Sequence, residues 1–72
     1  MYIVHGYFIK ENGTSGQRFA FEPEDLSIDV IEETIKRVGI NDFDYSEDWM
    51  NEGNFVYSVD YFNSAQDFYD IW

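Results

Sequence analysis

Aromatic and polar residues alternate along most of the segment 40–49, which predicts a strand with two unlike faces. Four residues of one parity are polar: Asp42, Asp44, Ser46 and Asp48. Three residues of the other parity are aromatic: Phe43, Tyr45 and Trp49. Because successive side chains of a strand point to opposite faces, the pattern predicts a row of acids backed by a row of aromatic rings. The aromatic row can support folding, so we interpret the acidic row as a functional surface.

Three further segments have the composition of strands. Residues 2–9 and 55–62 are rich in β-branched and aromatic residues, and residues 18–21 form a shorter run of the same kind. The intervening segment 10–17 contains the dipeptide Asn12-Gly13, which predicts a hairpin loop. Together with the segment 40–49, the sequence predicts four strands.

The segment 27–38 has a helical period instead. Its apolar residues recur at steps of three or four: Ile28, Ile31, Ile35 and Val38. We expect Gly39 to end this helix as a left-handed residue, and Ser64 to cap a short helix or turn in the segment 64–72. The predicted fold is α+β, a single ββαββ domain over residues 1–72 with one helix on one face of an antiparallel sheet.

The predicted register brings acids from two strands together. If Trp49 faces Phe55 across the loop 50–54, then Asp44 lies directly opposite Asp60. Like charges at opposite positions of a sheet are destabilising, by roughly 0.2–1 kcal/mol. A register shifted by one residue would bury the acids, which costs more. Because local rules are most often broken at functional sites, this pair favours a functional acidic face.

The charge of the chain narrows the classes of partner. Fifteen Asp and Glu residues oppose four Lys and Arg residues, for a formal net charge of −11 at pH 7. A charge of about 2–8 in magnitude is enough to keep a small domain soluble. Direct binding to nucleic acid or to an anionic membrane is disfavoured, and a basic protein partner is favoured. The sequence has no recognisable signal peptide or membrane span and no cysteine, so we expect cytoplasmic residence.

The negative charge is concentrated in the second half of the chain. No Lys or Arg follows Arg37, whereas eight acids do: Asp42, Asp44, Glu47, Asp48, Glu52, Asp60, Asp67 and Asp70. The acids of the predicted helix differ, because Glu32 and Glu33 are each followed four positions later by a basic residue with which they can pair. We therefore predict that the eight acids after Arg37 form the partner-binding surface.

Calcium binding and catalysis are weaker interpretations of the same acids. The alternating acids from Asp42 to Asp48 resemble the start of an EF-hand loop, but Glu47 stands where that loop needs glycine and Gly53 stands where it needs glutamate. Acid–base catalysis needs a cleft and a raised carboxyl pKa, and a small exposed sheet offers neither. His5 has no Ser or Cys nucleophile near it in a recognisable motif. We therefore expect a non-enzymatic protein without cofactor or metal.

Mimicry of a polyanion accounts for the acidic row more directly. Alternate residues of a strand lie about 6.6 Å apart, which is comparable with the through-space separation of DNA phosphates. A rigid sheet with acids at this spacing can occupy a Lys- and Arg-lined groove that binds DNA. Asp42, Asp44, Asp48 and Asp60 would be the central phosphate surrogates, and exposed aromatic residues such as Phe62 or Tyr69 would anchor the contact.

In size, charge and absence of cysteine, the chain resembles the class of small acidic DNA-mimic inhibitors encoded by phages. That class includes anti-CRISPR proteins, anti-restriction proteins and inhibitors of uracil-DNA glycosylase. The resemblance rests on the acids between Asp42 and Asp70 and on no diagnostic motif. It implies a stoichiometric inhibitor, present in the host cytoplasm, that blocks the DNA-binding site of a CRISPR effector or another defence nuclease. An anti-CRISPR protein would compete for the arginines that read the PAM.

Two other interpretations remain open. An immunity protein or antitoxin that neutralises a basic toxin would also be acidic and rich in aromatic residues. An acidic structural or regulatory domain that oligomerises through its aromatic residues is the second. The sequence is compatible with a homodimer, because fifteen aromatic residues are many for one small core and an unpaired edge strand can pair with a second copy.

Overall fold

The computed structural model describes residues 1–72 and contains three strands and three helices. In chain order these are β1 (Tyr2–Ile9), β2 (Ser15–Phe21), α1 (Ile28–Phe43), α2 (Glu47–Asn51), β3 (Phe55–Tyr61) and α3 (Ala65–Tyr69). The strands form one sheet of order β2-β1-β3, and both neighbours run antiparallel to β1. The α+β class is therefore confirmed. The predicted ββαββ order is wrong, because the predicted third strand is helical.

β1 and β2 form the predicted hairpin. Its turn is stabilised by Asn12, whose Oδ1 accepts hydrogen bonds from the Thr14 amide at 3.1 Å and the Thr14 hydroxyl at 2.6 Å. Gly13 follows with φ of 85°, a left-handed conformation that glycine adopts without strain. The turn is therefore encoded locally, in three consecutive residues.

Helix α1 begins where the sequence predicts and ends five residues later than predicted. Ser27 is its N-cap, and the Ser27 side chain accepts a hydrogen bond from the Val30 amide. Ile31 and Ile35 are buried, but Ile28 at the first position is 65% exposed, so the predicted apolar face does not extend to the start of the helix. The helix continues through Gly39 to Phe43, with Asp44 as its left-handed C-cap at φ of 60°.

Gly39 does not end the helix. It lies inside α1 at a position where the packing leaves no room for a side chain. A Cβ on Gly39 would lie 3.0 Å from Phe8 Cε1 and would collide with Met50 Sδ. Glycine in a helix interior costs about 1 kcal/mol relative to alanine. Here that cost allows α1 to approach both the sheet and α2 closely, and both Phe8 and Met50 are fully buried.

β3 pairs with β1 and with no segment of 40–50. Val4 lies opposite Val59, and His5 lies opposite Ser58. The predicted pairing of Asp44 with Asp60 is therefore wrong, because Asp44 caps α1 and does not belong to a strand. The two strands leave no room for a side chain at Gly6, where a Cβ would collide with the main-chain oxygen of Val56.

The sheet is covered on both faces, by different amounts. One face packs against α1 and α2 around a core of six residues: Val4, Phe8, Phe19, Ile31, Ile35 and Met50. On the other face α3 covers one end of the sheet, where Phe68 is 4% exposed and lies beside Ile3 and Ala20. Ser64 caps α3 as predicted, by accepting a hydrogen bond from the Asp67 amide at 3.3 Å.

Candidate protein-binding surface

Five of the eight predicted site residues lie together around the junction of α1 and α2. These are Asp42, Asp44, Glu47, Asp48 and Glu52, which we call the acidic end. All five are exposed to solvent. They follow one another on a helix end, a cap and a short second helix instead of on one face of a strand. Their side chains therefore lack the regular spacing of about 6.6 Å that the strand interpretation supplied.

The backbone at this junction is fixed by a left-handed residue. Asp44 adopts φ of 60°, the single non-glycine residue with positive φ in the chain. The carbonyl oxygen of Gly39 accepts hydrogen bonds from the Asp44 amide and from the Tyr45 amide, the latter at 3.0 Å. These two hydrogen bonds close the C-terminal end of α1 in the manner of a left-handed helix cap. It also turns the chain sharply enough for α2 to begin at Glu47.

Ser46 starts α2. Its hydroxyl accepts a hydrogen bond from the Trp49 amide at 3.1 Å, and its carbonyl accepts one from the Met50 amide at 3.1 Å. Glu47 and Asp48 follow in the first turn, where negative charge is stabilised by the helix dipole. Asp42 and Asp44 differ from them, because these two acids lie at the C-terminal end of α1, where the helix dipole makes negative charge unfavourable.

Aromatic residues hold the acidic end against the sheet. Trp49 Nε1 donates to the carbonyl oxygen of Ile9 at 2.8 Å, and the Tyr45 hydroxyl donates to Gln17 Oε1 at 2.8 Å. The ring of Phe43 lies 5.4 Å from that of Phe8. The three aromatic residues of the predicted strand thus do pack against the core. They do so from a helix end, a loop and a helix.

The other three predicted site residues lie elsewhere. The side chain of Asp60 projects from the sheet face that carries α3, since its neighbour Val59 pairs with Val4 of the core face. Asp67 lies in the first turn of α3, and Asp70 is the C-cap of that helix and accepts a hydrogen bond from Gln66 Nε2 at 2.9 Å. The predicted single acidic face is therefore two groups of acids on two different parts of the surface.

One basic side chain lies within 4.0 Å of an acid: His5 Nε2 forms a hydrogen bond with Asp60 Oδ2 at 2.7 Å. The expected pairs of Glu32 and Glu33 with the basic residues one turn later do not form at that distance. Glu32 instead accepts a hydrogen bond from the Tyr57 hydroxyl at 3.0 Å. Burial of Tyr57, together with the hydrogen bond to the Glu32 carboxylate and its charge, raises the pKa of that phenol above its ordinary value of 10.0. None of the five carboxylates of the acidic end has a cationic partner.

A cluster around His5 joins residues that no sequence motif connects. His5 is in contact with three aromatic rings, those of Phe62, Phe68 and Trp72, at centroid distances of 6.5, 5.6 and 6.3 Å. The Arg18 guanidinium lies 4.5 Å from the centroid of the Trp72 ring, and its Nη1 donates to the main-chain oxygen of Trp72 at 3.3 Å. Phe62, which we expected to be an exposed anchor, is partly buried here, whereas Tyr69 is 66% exposed.

The structure contains neither a cluster of metal ligands nor a helix that could span a membrane. No group of three or more His, Asp or Glu side chains is placed to hold a metal ion. The segment that resembles the start of an EF-hand is distributed over α1, its cap and α2, instead of forming a loop around a cation. None of the three helices has the length and apolar character needed to cross a bilayer.

No protein-family model matches the chain, and neither a curated protein nor a solved structure is significantly similar to it.

Proposed function

We propose that this protein is a stoichiometric inhibitor that mimics DNA and blocks the DNA-binding site of a bacterial defence nuclease, as an anti-CRISPR protein does. The single observation that carries the proposal is the acidic end, five exposed carboxylates within eleven residues and without a cation within 4.0 Å. A DNA-binding groove lined with Lys and Arg supplies the missing cations. The site of action is the cytoplasm of the host cell.

The electrostatic design supports this function. Uncompensated like charge destabilises a compact protein, so a chain that needed solubility alone has no use for a charge of −11. Long-range attraction to a basic groove accelerates association, and release of the counterions from that groove favours binding. The functional charges here are the acids of a helix junction, and they do not depend on a regular strand.

The rigidity of the acidic end also supports the proposal. Trp49 and Tyr45 tie the junction to Ile9 and Gln17 through hydrogen bonds of 2.8 Å, and Met50 is fully buried beneath it. Charges that are held in place before binding lose less conformational entropy when the complex forms. Asp60, Asp67 and Asp70 extend the negative field from the other group of acids and have a secondary role.

A pair of matched triple variants tests the proposal. In the first, Asp42→Asn, Asp44→Asn and Glu52→Gln remove three charges from the acidic end at positions where no helix N-terminus depends on them. In the second, Glu11→Gln, Glu22→Gln and Glu24→Gln remove three charges from exposed positions elsewhere. Both triples leave the same net charge, so a difference between them reports the location of the charge.

The measurement is retention of a nuclease from a bacterial lysate on the immobilised protein, followed by elution with duplex DNA and a cleavage assay of the eluate. We expect duplex DNA to elute a nuclease from the wild type and the second triple, with at least a tenfold loss in binding for the first triple. Elution by salt but not by DNA would instead indicate an immunity protein or antitoxin for a toxin that does not bind DNA. Equal binding by the two triples would contradict the assignment to the acidic end.

A further inference from the structure

The edge of β3 that faces away from β1 has unpaired main-chain groups. The hydrogen bonds between β1 and β3 identify the residues that carry them. At one end of the β1–β3 ladder, Met1 and Phe62 exchange two main-chain hydrogen bonds, at 2.6 and 2.8 Å. At the other end, the Ile9 amide donates to the carbonyl of Asn54 at 3.0 Å. Because the hydrogen-bonded pairs of an antiparallel ladder alternate, the residues of β3 that bond to β1 are the even-numbered ones. The amides and carbonyls of Tyr57, Val59 and Tyr61 therefore point away from β1.

This edge lacks the features by which natural sheets block further pairing. The strand contains no proline, lysine or arginine, and its single charged side chain, Asp60, forms a hydrogen bond with His5. The other edge differs, because Arg18 lies on β2 and the β1–β2 ladder is irregular between Tyr7 and Ile9. Edge pairing is therefore favoured at β3 and disfavoured at β2.

We propose that β3 pairs antiparallel with β3 of a second copy of this chain, about a two-fold axis at Val59. In this register Val59 lies opposite the second Val59, and Tyr57 lies opposite Tyr61. Tyr57, Val59 and Tyr61 then form hydrogen-bonded pairs across the axis, with six main-chain hydrogen bonds in total. The result is a continuous sheet of six strands with the order β2-β1-β3-β3-β1-β2.

The side chains select this register over its neighbours. With the axis at Val59, each Asp60 faces a Ser58, and the opposite face pairs aromatic with aromatic and valine with valine. An axis at Asp60 would place the two Asp60 carboxylates directly opposite each other, which is unfavourable. An axis at Ser58 would pair Tyr61 with Phe55, whose amide already donates to the carbonyl of Gly53 at 2.8 Å.

Exposed apolar side chains lie beside the free edge of β3. Val59 is 38% and Tyr61 63% exposed on the sheet face that carries α1. Ile28, 65% exposed, lies one helical turn before Glu32, whose carboxylate contacts Tyr57. Gly39 lies beside Phe8, which pairs with Phe55, so α1 and β3 run in opposite directions and Ile28 lies towards Val59 and Tyr61. Pairing about Val59 would cover this apolar group and leave the acidic end free.

The dimer has room for both helices. The two copies of β1 would be three strand spacings apart, about 14 Å, and helices pack at about 8–10 Å. Both copies of α1 would lie on the same side of the sheet, because a two-fold axis normal to the sheet preserves its faces.

Salt separates this inference from the proposed function. Each copy carries a formal charge of −11, so added salt screens the repulsion between copies and should strengthen the dimer. Binding of the acidic end to a basic groove should weaken with salt. Either property can therefore fail without the other.

The test is sedimentation of the purified chain over a range of protein and salt concentrations, combined with amide hydrogen exchange. We expect a concentration-dependent dimer and protection of the Tyr57, Val59 and Tyr61 amides that grows with the dimer fraction. Val59→Lys should abolish the dimer, because two ammonium groups would meet at the axis. Asn51→Lys adds the same charge at an exposed position of α2 and should leave the dimer intact.

Tyr61→Lys, at a more exposed position of the same edge, gives a second variant should Val59→Lys lose its fold in circular dichroism. A wild type that stays monomeric at high protein and salt concentration would overturn the inference. So would a dimer without protection of the three amides, or one that persists in the folded lysine variants of the edge.

Discussion

Two segments of this chain have similar patterns and different structures. The segments 40–50 and 55–61 both alternate aromatic with polar residues, yet the first forms the end of α1 and all but the last residue of α2, whereas the second forms β3. The first segment contains Ser46 followed by two acids, which is a helix start, and Asp44, which tolerates a left-handed backbone. The second has valines at two positions, and its one serine, Ser58, is followed by Val59 and not by two acids. Where aromatic and polar residues alternate over only a few positions, the capping signals therefore decide whether the segment forms a helix or a strand.

The tertiary contacts of the two segments differ as well. β3 completes a ladder with β1, so its conformation depends on main-chain pairing with residues more than 45 positions earlier. The acidic end depends on side chains, since Met50, Trp49 and Tyr45 attach it to α1 and to the sheet. Changes of the backbone should therefore harm β3 most, and changes of side chains should harm the acidic end.

The largest effect is expected at Gly6. Gly6→Ala places a Cβ against the main-chain oxygen of Val56 and 2.7 Å from Tyr57 Cα, and main-chain atoms of a paired strand cannot move aside. We expect a loss of about 3 kcal/mol in the free energy of unfolding, measured by urea denaturation. Gly13→Ala is the control, since its Cβ meets nothing within 4 Å and its cost, about 1 kcal/mol, comes from positive φ alone. Equal losses for the two variants would contradict the close approach of β1 and β3.

A smaller effect is expected from the N-cap of α2. Ser46→Ala removes the hydroxyl that accepts from the Trp49 amide, and we expect a loss of about 1 kcal/mol in the free energy of unfolding. Ser58→Ala on β3 is the matched control, because Ser58 is exposed and its hydroxyl forms no hydrogen bond within the chain. We expect the control to change stability by less than about 0.5 kcal/mol. If both variants cost the same, the cap does not determine the helical state of residues 47–51.

The smallest effect is confined to alkaline pH. The pKa of Tyr57 is raised in the folded protein, so the folded state holds the phenolic proton more tightly than the unfolded state does. This contribution to stability is complete below the unfolded pKa of about 10 and is lost as pH rises through the folded pKa. Absorbance titration of tyrosinate should show one late-ionising tyrosine. Glu32→Gln should bring that ionisation earlier, and an unchanged titration would contradict the role of the Glu32 carboxylate.

Much of the fold could be predicted from local signals. The strand segments 2–9 and 55–62, the Asn12-Gly13 turn and the Ser64 cap are each encoded by a few neighbouring residues, and each is present in the structure. Gly39 could not be assigned in this way, because the reason for a glycine there is the proximity of Phe8 and Met50, which only the tertiary structure reveals. A helix-ending glycine and a close-packing glycine look identical in sequence.

The candidate site was predictable in composition and not in arrangement. The exposure of all eight acids follows from their charge, but their division into two groups depends on whether the segment 40–49 is a strand. The His5 cluster joins residues far apart in the chain, with 54 positions between Arg18 and Trp72 and 55 between His5 and Asp60. No spacing rule of helices or strands connects such positions, so a single sequence carries no signal for them.

The central position of β1 has a consequence for the order in which the chain folds. The β1–β2 hairpin can form from residues 2–21 alone, but β1 gains its second neighbour from residues 55–61. Closing so long a loop is entropically costly, and a high contact order slows folding. During synthesis on the ribosome, the inner strand of the finished sheet is an open edge until β3 has emerged. Rapid closure of α1 over the hairpin, which buries Ile31 and Ile35 against Val4 and Phe8, would shield that nascent chain from aggregation.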